Sequence, residues 1–543
     1  MFFISIKYIL FFITVVAIFF ALPRRFRWMF LLGASYFFYM SWDPKYALLL
    51  VTTTTIVYGT GFIMDGRPQG RKKMLAIFSL VANLSILFVF KYYNFFNNSI
   101  RDLFEILGMS YNVPSFTLLM PVGISFYTFQ ALSYTIDVYR GTRPAERNFG
   151  KFALYVSFFP VILSGPIERS TTLLPQFYEK TEFNYDRVVS GLLLMAWGFF
   201  QKLVIADRLG VYVNLVYGSI GVTYGEFGAL KGLPLLVATY FYLFQIFCDF
   251  SGYTDIAIGT ALVMGYRLLP NFRRPFLAVS IRELWRRWHM SLISWIRDYL
   301  YIPLGGSRVS QARWYFNIIF VFTMSGLWHG SQWTFVTWGA MNGIMIAVSG
   351  KTQNIRDRAR EALFGFMAAI PAGVLFGIGT VMALVAAGGN RVGIAGTGGR
   401  IAAGTGFLCF LALGIMKMRG TPYQAFLGKM KRFWMMFATF NLFALGAVFF
   451  RAKSMSDAWY ILTHFPGTNV LHLFLPTKPL DFMISLMLIL FLLIVHNIQE
   501  HRGSVRAIIK SKPLLVRWLV YYLMVMSIFA GMRQTGGFEY FRF

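Results

Sequence analysis

His329 is the ionisable side chain whose position most strongly suggests chemistry, because it lies in the charge-free run from Trp314 to Gly350. An ionisable group at membrane depth is costly, so such a residue is a candidate functional residue. Burial disfavours the charged imidazolium, and a neutral imidazole can accept a proton as a general base. A histidine that only packs and hydrogen-bonds against a neighbouring helix explains the same pattern, so both interpretations stay open at this point.

The residues around His329 predict a narrow polar stripe. The sequence from residue 325 reads SGLWHGSQW. Helical spacing would place Ser325 at i−4 and Gln332 at i+3, on the same face as the histidine, where both could contact a substrate. Gly326 and Gly330 would leave room beside the imidazole ring. With no second His, Cys or carboxylate nearby in the sequence, no metal site is expected at His329.

His289 lies in a second segment, which reads IRELWRRWHMSLISW over residues 281–295. As one continuous helix, this segment would carry a stripe of tryptophans and a stripe formed by Arg282, Arg286 and His289. Tryptophans at the headgroup level and arginines against lipid phosphates explain it as an interfacial helix. The alternative is a cytoplasmic rim at which Arg282, Arg286 and Arg287 receive an anionic acyl donor, with His289 inside the entrance.

The other titratable candidates are four carboxylates that adjoin apolar segments: Asp137, Asp249, Asp255 and Asp298. The second and third are six residues apart and do not share a helical face, so a paired acid/base site is not expected. We expect these carboxylates to be salt-bridge partners of Arg267 or Arg297. The four remaining histidines have no partner pattern and are expected to be structural.

The elements that position these residues are predicted to be membrane helices. Of the 543 residues, 57% are hydrophobic and only 13% are charged, which is outside the range of soluble globular proteins. Charge-free runs recur along the whole chain and lack the polar–apolar alternation of a β-barrel. We therefore predict an all-α polytopic membrane protein with about 11–13 transmembrane helices, and with re-entrant or interfacial pieces near residues 152–167 and 277–304.

The charge balance fits the same fold class. The chain has 51 Lys and Arg against 22 Asp and Glu, and the basic residues cluster between apolar runs, as in cytoplasmic loops. No nucleic-acid-binding module interrupts the spans, so nucleic acid is not an expected partner. Cys248 and Cys409 both lie in apolar runs, which argues against a disulfide framework or a Cys-based metal site.

Several segments carry a resemblance to a known family. The segment from Asn271 to Arg308 reads NFRRPFLAVSIRELWRRWHMSLISWIRDYLYIPLGGSR, and GLWHG follows at residues 326–330. The other segments are FKYYNFF at 90–96, PVGISFYTFQALSYTIDVYRG at 121–141, FFPVILSGPIER at 158–169, DFSGYTDIAIG at 249–259, FFRA at 449–452 and FEYFRF at 538–543. Together they resemble the membrane-bound O-acyltransferase (MBOAT) superfamily, and more narrowly its bacterial alginate O-acetyltransferase branch.

The resemblance implies an MBOAT-like helical funnel that passes an acyl group from a cytoplasmic donor to the other membrane face. The family's invariant membrane histidine maps to His329 and its second histidine to His289, which favours a catalytic role for both. One transmembrane domain is expected over residues 1–543. It would comprise N-terminal spans (1–89), a core with the motif residues (90–345), C-terminal spans (346–532) and an extracytoplasmic tail (533–543).

We therefore expect an O-acetyltransferase of the bacterial inner membrane that serves O-acetylation of an extracytoplasmic polysaccharide such as alginate. Acetyl-CoA is the expected co-substrate, with no bound cofactor and no metal. The expected partners are an extracytoplasmic esterase-like acetyltransferase and membrane lipids. D-alanyl or other acyl transfer to a cell-envelope polymer is the alternative within the enzyme class. A polysaccharide or lipid transporter is the alternative of a different class, although the paired intramembrane carboxylates or repeats of a transporter are not evident.

Tyr540 is the third catalytic candidate, as a transient acyl carrier. The basic loop at residues 501–517 belongs inside, so the last span would deliver the tail to the outer face, and Gly536 and Gly537 would let it fold back. A phenol with a pKa of ~10 is a nucleophile that a neutral His329 could activate. An interfacial aromatic anchor explains the same tail equally well.

Overall fold

A computed structural model describes residues 3–116, 120–220, 231–352, 357–358, 361, 421–465 and 478–531. The described residues form helices and turns, with no strand among them. This confirms the all-α prediction. Tyr540 and Cys409 lie outside the described residues.

The α-helices of the first half are α1 (Ile6–Ala21), α2 (Arg24–Met40), α3 (Tyr46–Met64), α4 (Gln69–Leu87), α5 (Tyr93–Ile106), α6 (Ile124–Arg140), α7 (Phe149–Ser157), α8 (Tyr185–Phe199), α9 (Asp207–Gly218) and α10 (Leu233–Met264). Those that follow are α11 (Ile281–Trp285), α12 (Met290–Ile296), α13 (Gln311–His329), α14 (Trp333–Lys351), α15 (Thr421–Arg451), α16 (Met455–His464), α17 (Pro479–Arg502), α18 (Val505–Lys510) and α19 (Leu514–Gly531). Wider π turns occur at Phe88–Tyr92, Phe200–Ala206 and Arg297–Tyr301, and short 3₁₀ turns at Leu174–Phe177 and Pro275–Leu277.

Seven helical segments in the described part of the chain are long and apolar enough to cross a membrane. They are Tyr46–Met64, Gln69–Ile106, Tyr185–Gly218, Leu233–Met264, Ala425–Arg451, Pro479–Arg502 and Leu514–Gly531. The protein is therefore a polytopic membrane protein, as the composition indicates. The number of about 11–13 crossings for the whole chain stays a prediction, because this search covers only the described residues.

The described residues divide into two compact units. Those within Met1–Pro275, Trp285–Ile344 and Phe443–Phe543 form the first unit, and those within Phe276–Leu284 and Met345–Leu442 form the second. Both candidate histidines lie in the first unit. The single transmembrane domain expected over residues 1–543 stays a prediction.

Helix α10 is the most buried of the long helices and packs closely on α8 in the first unit. A Cβ atom built on Gly198 would lie 2.5 Å from the carbonyl oxygen of Gly252, and one on Gly259 would lie 2.6 Å from that of Gly191. Only glycine permits such an approach of two helix backbones, which is a common way for membrane helices to pack. The sequence thereby places α10 in the core.

A buried ion-pair cluster lies beside this packing. Lys202, in the π turn that follows α8, donates to Asp249 of α10 at 2.6 Å and pairs with Asp207 at 2.7 Å. The prediction that Asp249 pairs with Arg267 or Arg297 is therefore wrong, because the close approach of the two helices brings Lys202 to it. All three groups are buried and shielded from water, so each charge is stabilised by its ion-pair partner and not by solvent.

The other carboxylates have partners of several kinds. Asp298 pairs with Arg297 at 2.7 Å, as predicted, and also with Arg169 at 3.2 Å. Asp255 instead accepts a hydrogen bond from the Gln201 side chain at 2.7 Å. Asp137 accepts one from the Tyr299 hydroxyl at 2.9 Å.

Candidate active site

His289 does not lie on one continuous helix, so that prediction is wrong. Helix α11 ends at Trp285 and α12 begins at Met290. His289 has a φ of 45° and a ψ of 50° in the left-handed region, which costs of order 1–3 kcal/mol for a residue other than glycine. The predicted stripe of Arg282, Arg286 and His289 on one helix face is therefore not formed.

Asn271 accounts for this break. Its backbone carbonyl accepts from the Met290 N–H at 2.9 Å, and its side-chain Oδ1 accepts from the Ser291 N–H at 3.3 Å and the Ser291 hydroxyl at 2.5 Å. The first N–H groups of a helix have no partner inside the helix. Asn271 supplies those partners for α12, so His289 at the cap position is not needed for capping and its ring can face the protein interior.

A buried loop holds this arrangement from the other side. The Ile167 N–H donates to the Ser291 hydroxyl at 3.0 Å. The next residue, Glu168, accepts from the Leu269 N–H at 2.6 Å, two residues before Asn271. Burial raises the pKa of Glu168 to about 8, although the hydrogen bonds from Leu269 and Thr172 oppose that shift. The loop at residues 164–169 thus holds both the start of α12 and the segment that contains Asn271, and these two segments position His289.

The tryptophans of this region are buried and not anchors at the headgroup level, which corrects a second part of the prediction. Trp285 and Trp288 both pack edge-on against Phe443, with ring centroids 5.8 and 5.2 Å away. Trp295 stacks on Phe129 at 4.0 Å and donates its indole N–H to the Phe129 carbonyl at 2.9 Å. All three tryptophan rings are therefore packed inside the protein.

His329 is the last residue of α13, so only the part of the predicted polar stripe that precedes it, at Ser325, lies on this helix. Ser325 lies in α13 one turn before it and is buried, as predicted. Gln332 is exposed and lies beyond the helix end, because Gly330 is extended with a φ of −155°. The placement of Gln332 on the same helix is therefore wrong. The substrate-binding roles of Ser325 and Gln332 stay predictions.

The glycines beside His329 make room for a neighbouring helix and not for the imidazole ring. A Cβ atom on Gly326 would lie 2.2 Å from the Phe335 carbonyl oxygen and 3.0 Å from the Gly339 Cα, both in α14. One on Gly330 would lie 2.2 Å from the Phe335 ring. The two glycines therefore let α14 fold back closely onto α13 and fix the end of the helix that carries His329.

The structure brings the two candidate histidines together. The ring centroids of His289 and His329 are 6.1 Å apart, and both rings are buried. Phe250 packs edge-on against His289 at 4.7 Å, and Trp338 and Phe450 against His329 at 5.2 and 5.3 Å. Two imidazoles that the sequence separates by forty residues thus lie side by side among aromatic rings, an environment suited to proton transfer shielded from water.

Lys91 is a residue of this site that sequence reasoning missed. Its ammonium donates to the carbonyl oxygens of Trp328 at 2.6 Å and His329 at 3.2 Å, and to the Ser125 hydroxyl at 3.4 Å. The last carbonyls of a helix lack partners inside the helix, and a cation there also complements the helix dipole. Lys91 therefore caps the C-terminal end of α13, where His329 lies. Its position directly after a long apolar run was the available signal.

The three arginines predicted at a donor entrance have different surroundings. Arg282 and Arg286 are exposed. Arg287 is half-buried and pairs with Glu500 at 2.9 Å, and Arg274 shares the same carboxylate at 2.5 Å. Arg287 therefore has a partner within the protein, whereas Arg286 has its guanidinium at the surface. Among the described residues, no group of three or more His, Cys, Asp or Glu could hold a metal ion.

Comparisons with known proteins agree with the resemblance. Residues 145–360, which include both histidines, match the MBOAT, membrane-bound O-acyltransferase family. The probable alginate O-acetylase AlgI of Azotobacter vinelandii is 39% identical over 331 residues, which are 60% of this chain and 64% of that protein. The peptidoglycan O-acetyltransferase of Helicobacter pylori is 35% identical over 342 residues, which are 58% of this chain and 63% of that protein.

A more distant relative is the teichoic acid D-alanyltransferase of Streptococcus thermophilus, which is 30% identical over 266 residues, 46% of this chain and 62% of that protein. Residues 145–360 thus resemble the membrane-bound O-acyltransferase family. The chain is similar to two probable alginate O-acetylases, each at 39% identity over about 330 residues. It spans less than two thirds of the length of these curated relatives.

Proposed function

We propose that this protein is a membrane O-acetyltransferase that passes acetyl groups from a cytoplasmic thioester, acetyl-CoA, across the bacterial inner membrane for O-acetylation of an extracytoplasmic polysaccharide such as alginate. The observation that carries the proposal is the buried pair of His289 and His329, 6.1 Å apart within the region that matches the O-acyltransferase family. The identity of 39% to a probable alginate O-acetylase, against 30% to a D-alanyltransferase, favours acetyl over D-alanyl as the group transferred.

In this proposal His329 is the general base. An acceptor hydroxyl oxygen attacks the thioester carbonyl carbon while its proton passes to a ring nitrogen of His329. The new C–O bond forms and the C–S bond breaks, and the proton held by His329 then passes to the departing sulfur. His289 contacts the donor on the other side of the reacting carbon. Both imidazoles are buried, and burial favours the neutral form that can accept the proton.

The proposed function is tested by deleting the gene and comparing the polysaccharide of the deletion strain with that of the wild type. Loss of polysaccharide O-acetyl esters, measured as acetate released by mild base, and recovery with the wild-type gene are expected. Unchanged O-acetyl content with a loss of D-alanine esters would overturn acetyl transfer in favour of D-alanyl transfer. A change in the amount of exported polymer without any loss of ester would overturn the enzyme assignment in favour of a transporter.

Lys91→Met should lower kcat about 10- to 100-fold with KM for the donor unchanged, because a misplaced catalytic group costs that much while substrate contacts persist. Steady-state kinetics of the purified variant measure kcat and KM separately. Ser125→Ala is the matched control, since it removes only the most distant of the three contacts of Lys91, at 3.4 Å, and should have a smaller effect. A folded Lys91→Met protein with wild-type kcat would show that the cap is not needed for catalysis.

Arg286→Ala should raise KM for acetyl-CoA, since an exposed guanidinium attracts the phosphates of the donor. An exposed charge pair is worth up to about 1 kcal/mol, so the expected rise is about two- to fivefold at low salt and smaller at high salt. Arg67→Ala, at another exposed basic position, is the control. An unchanged donor KM together with lower expression would instead identify Arg286 as a membrane anchor.

A further inference from the structure

A large cavity lies in the first unit beside the histidine pair and is separate from it. It has a volume of about 920 Å³ and lies between α8, α10, α17 and α19. As far as the structure describes the chain, neither His289 nor His329 lines it. Asn271 lines the cavity with its neighbours in sequence and is also the residue that caps α12. The cavity thus borders Asn271, which positions His289, but neither candidate histidine lies in its wall.

The interior of the cavity is apolar and open to the lipid-facing surface. Its walls include Leu193 and Trp197 of α8, Phe491 of α17, and Leu523 and Met524 of α19. Two of these residues are exposed, Phe491 at 44% and Leu523 at 62%. Only 6% of the apolar window of α19 is buried. An alkyl chain can therefore enter from the bilayer and lie along these side chains.

One end of the cavity is strongly basic. Arg273, Arg274 and Arg506 line it, and Glu500 is the carboxylate among them. Glu500 already pairs with both Arg274 and Arg287. Cations therefore exceed anions at this end. The other lining carboxylate, Asp255, accepts from Gln201 and interacts electrostatically with Arg506, so three arginines line the cavity against two carboxylates.

The sequence clusters that contain these arginines assign the basic end to the cytoplasmic side of the membrane. Arg273 and Arg274 belong to one cluster of positive charge and Arg506 to another, and such clusters mark cytoplasmic loops. Guanidinium groups match phosphate oxygens in geometry and charge. Basic pockets between membrane helices on this side are a typical site for anionic lipid headgroups.

We propose that the cavity is a binding site for an anionic phospholipid of the cytoplasmic leaflet. The phosphate lies at Arg273, Arg274 and Arg506, and an acyl chain lies along Trp197 and Phe491. The site is additional to the proposed acyl transfer and does not depend on it. The donor coenzyme A carries the same phosphate chemistry, and the experiment separates the two sources.

Native mass spectrometry of the purified full-length protein tests the proposal. The probes are dioleoyl phosphatidylglycerol, dioleoyl phosphatidylcholine and coenzyme A, each titrated alone and in competition. Retention of phosphatidylglycerol in preference to phosphatidylcholine, without displacement by coenzyme A, is expected. Equal retention of the two lipids, retention of neither, or displacement by coenzyme A would overturn the lipid site.

Variants locate the site. Arg273→Gln and Arg506→Gln should each weaken phosphatidylglycerol binding about fivefold, since one basic residue near a membrane surface contributes about 1 kcal/mol. Arg71→Gln, at an exposed basic position of α4 that does not line the cavity, should leave binding unchanged. Val495→Trp keeps every arginine and fills the acyl-chain path, so it should weaken binding as well. Wild-type affinity in all three cavity variants would contradict the assignment.

Discussion

Replacing His329 by glutamine is expected to lower the rate of acetyl transfer about 10² to 10⁴-fold, the contribution typical of a positioned general base. Glutamine keeps a polar side chain of similar size but cannot take a proton from the acceptor hydroxyl. Lys91 donates to the backbone carbonyls at the end of α13 and not to the His329 ring. The substitution leaves these hydrogen bonds in place, so the variant should fold and insert. The rate is measured in isolated membranes with labelled acetyl-CoA and polysaccharide, normalised to the amount of protein.

The control for this prediction is His464→Gln. His464 lies at the end of α16 and makes a local ring-nitrogen contact to the Tyr460 carbonyl at 2.9 Å. It is also a histidine near a helix end, so the same change there should leave the transfer rate close to that of the wild type. A wild-type rate in folded His329→Gln would remove the general-base role.

Changing Tyr540 to phenylalanine is expected to abolish polymer acetylation, because we propose that the phenol carries the acetyl group as an aryl ester. The substitution keeps the aromatic ring and deletes only the nucleophilic oxygen. Attack by that oxygen on the thioester carbonyl forms the ester C–O bond and releases the thiol, while His329 transfers the proton. The measurement is O-acetyl content of the polymer in a complemented deletion strain, together with mass spectrometry of the C-terminal peptide for an added acetyl group.

Tyr522→Phe provides a matched control for Tyr540→Phe, since Tyr522 is an exposed tyrosine of α19. Its loss of a hydroxyl should leave polymer acetylation intact. Preserved acetylation in Tyr540→Phe would contradict the carrier role and leave the tail as an aromatic anchor. Complete loss of polymer acetylation with normal membrane insertion would support the carrier role.

The sequence predicted the two histidines and the all-α membrane fold because both signals are local. A histidine inside a charge-free run is unusual whatever surrounds it in space, and long apolar runs predict spanning helices from their length alone. The family resemblance assigned both His289 and His329 to the site, but their adjacency was seen only in the structure. Helical periodicity could not have provided it, because the two residues lie on separate helices.

The errors arose where distant parts of the chain determine local structure. Residues 281–295 look like one amphipathic helix until Asn271, twenty residues before Ser291, supplies the hydrogen bonds that start a new helix at Met290. Lys91 is 237 positions from Trp328, so its capping role left no local pattern. The Lys202–Asp249 pair likewise depends on the close packing of two helices. Propensity and periodicity describe neighbours in sequence, and each of these contacts is tertiary.

Turnover of the donor by the purified chain tests the central claim most directly. Wild-type protein and His329→Gln protein are reconstituted in nanodiscs with [¹⁴C]acetyl-CoA and no partner protein, and released coenzyme A and protein-bound label are followed in a single turnover. The wild type should release coenzyme A and acquire label, and His329→Gln should release it at least ~10²-fold more slowly. Equal release by the two proteins, or none from the wild type, would contradict acyl transfer at the histidine pair.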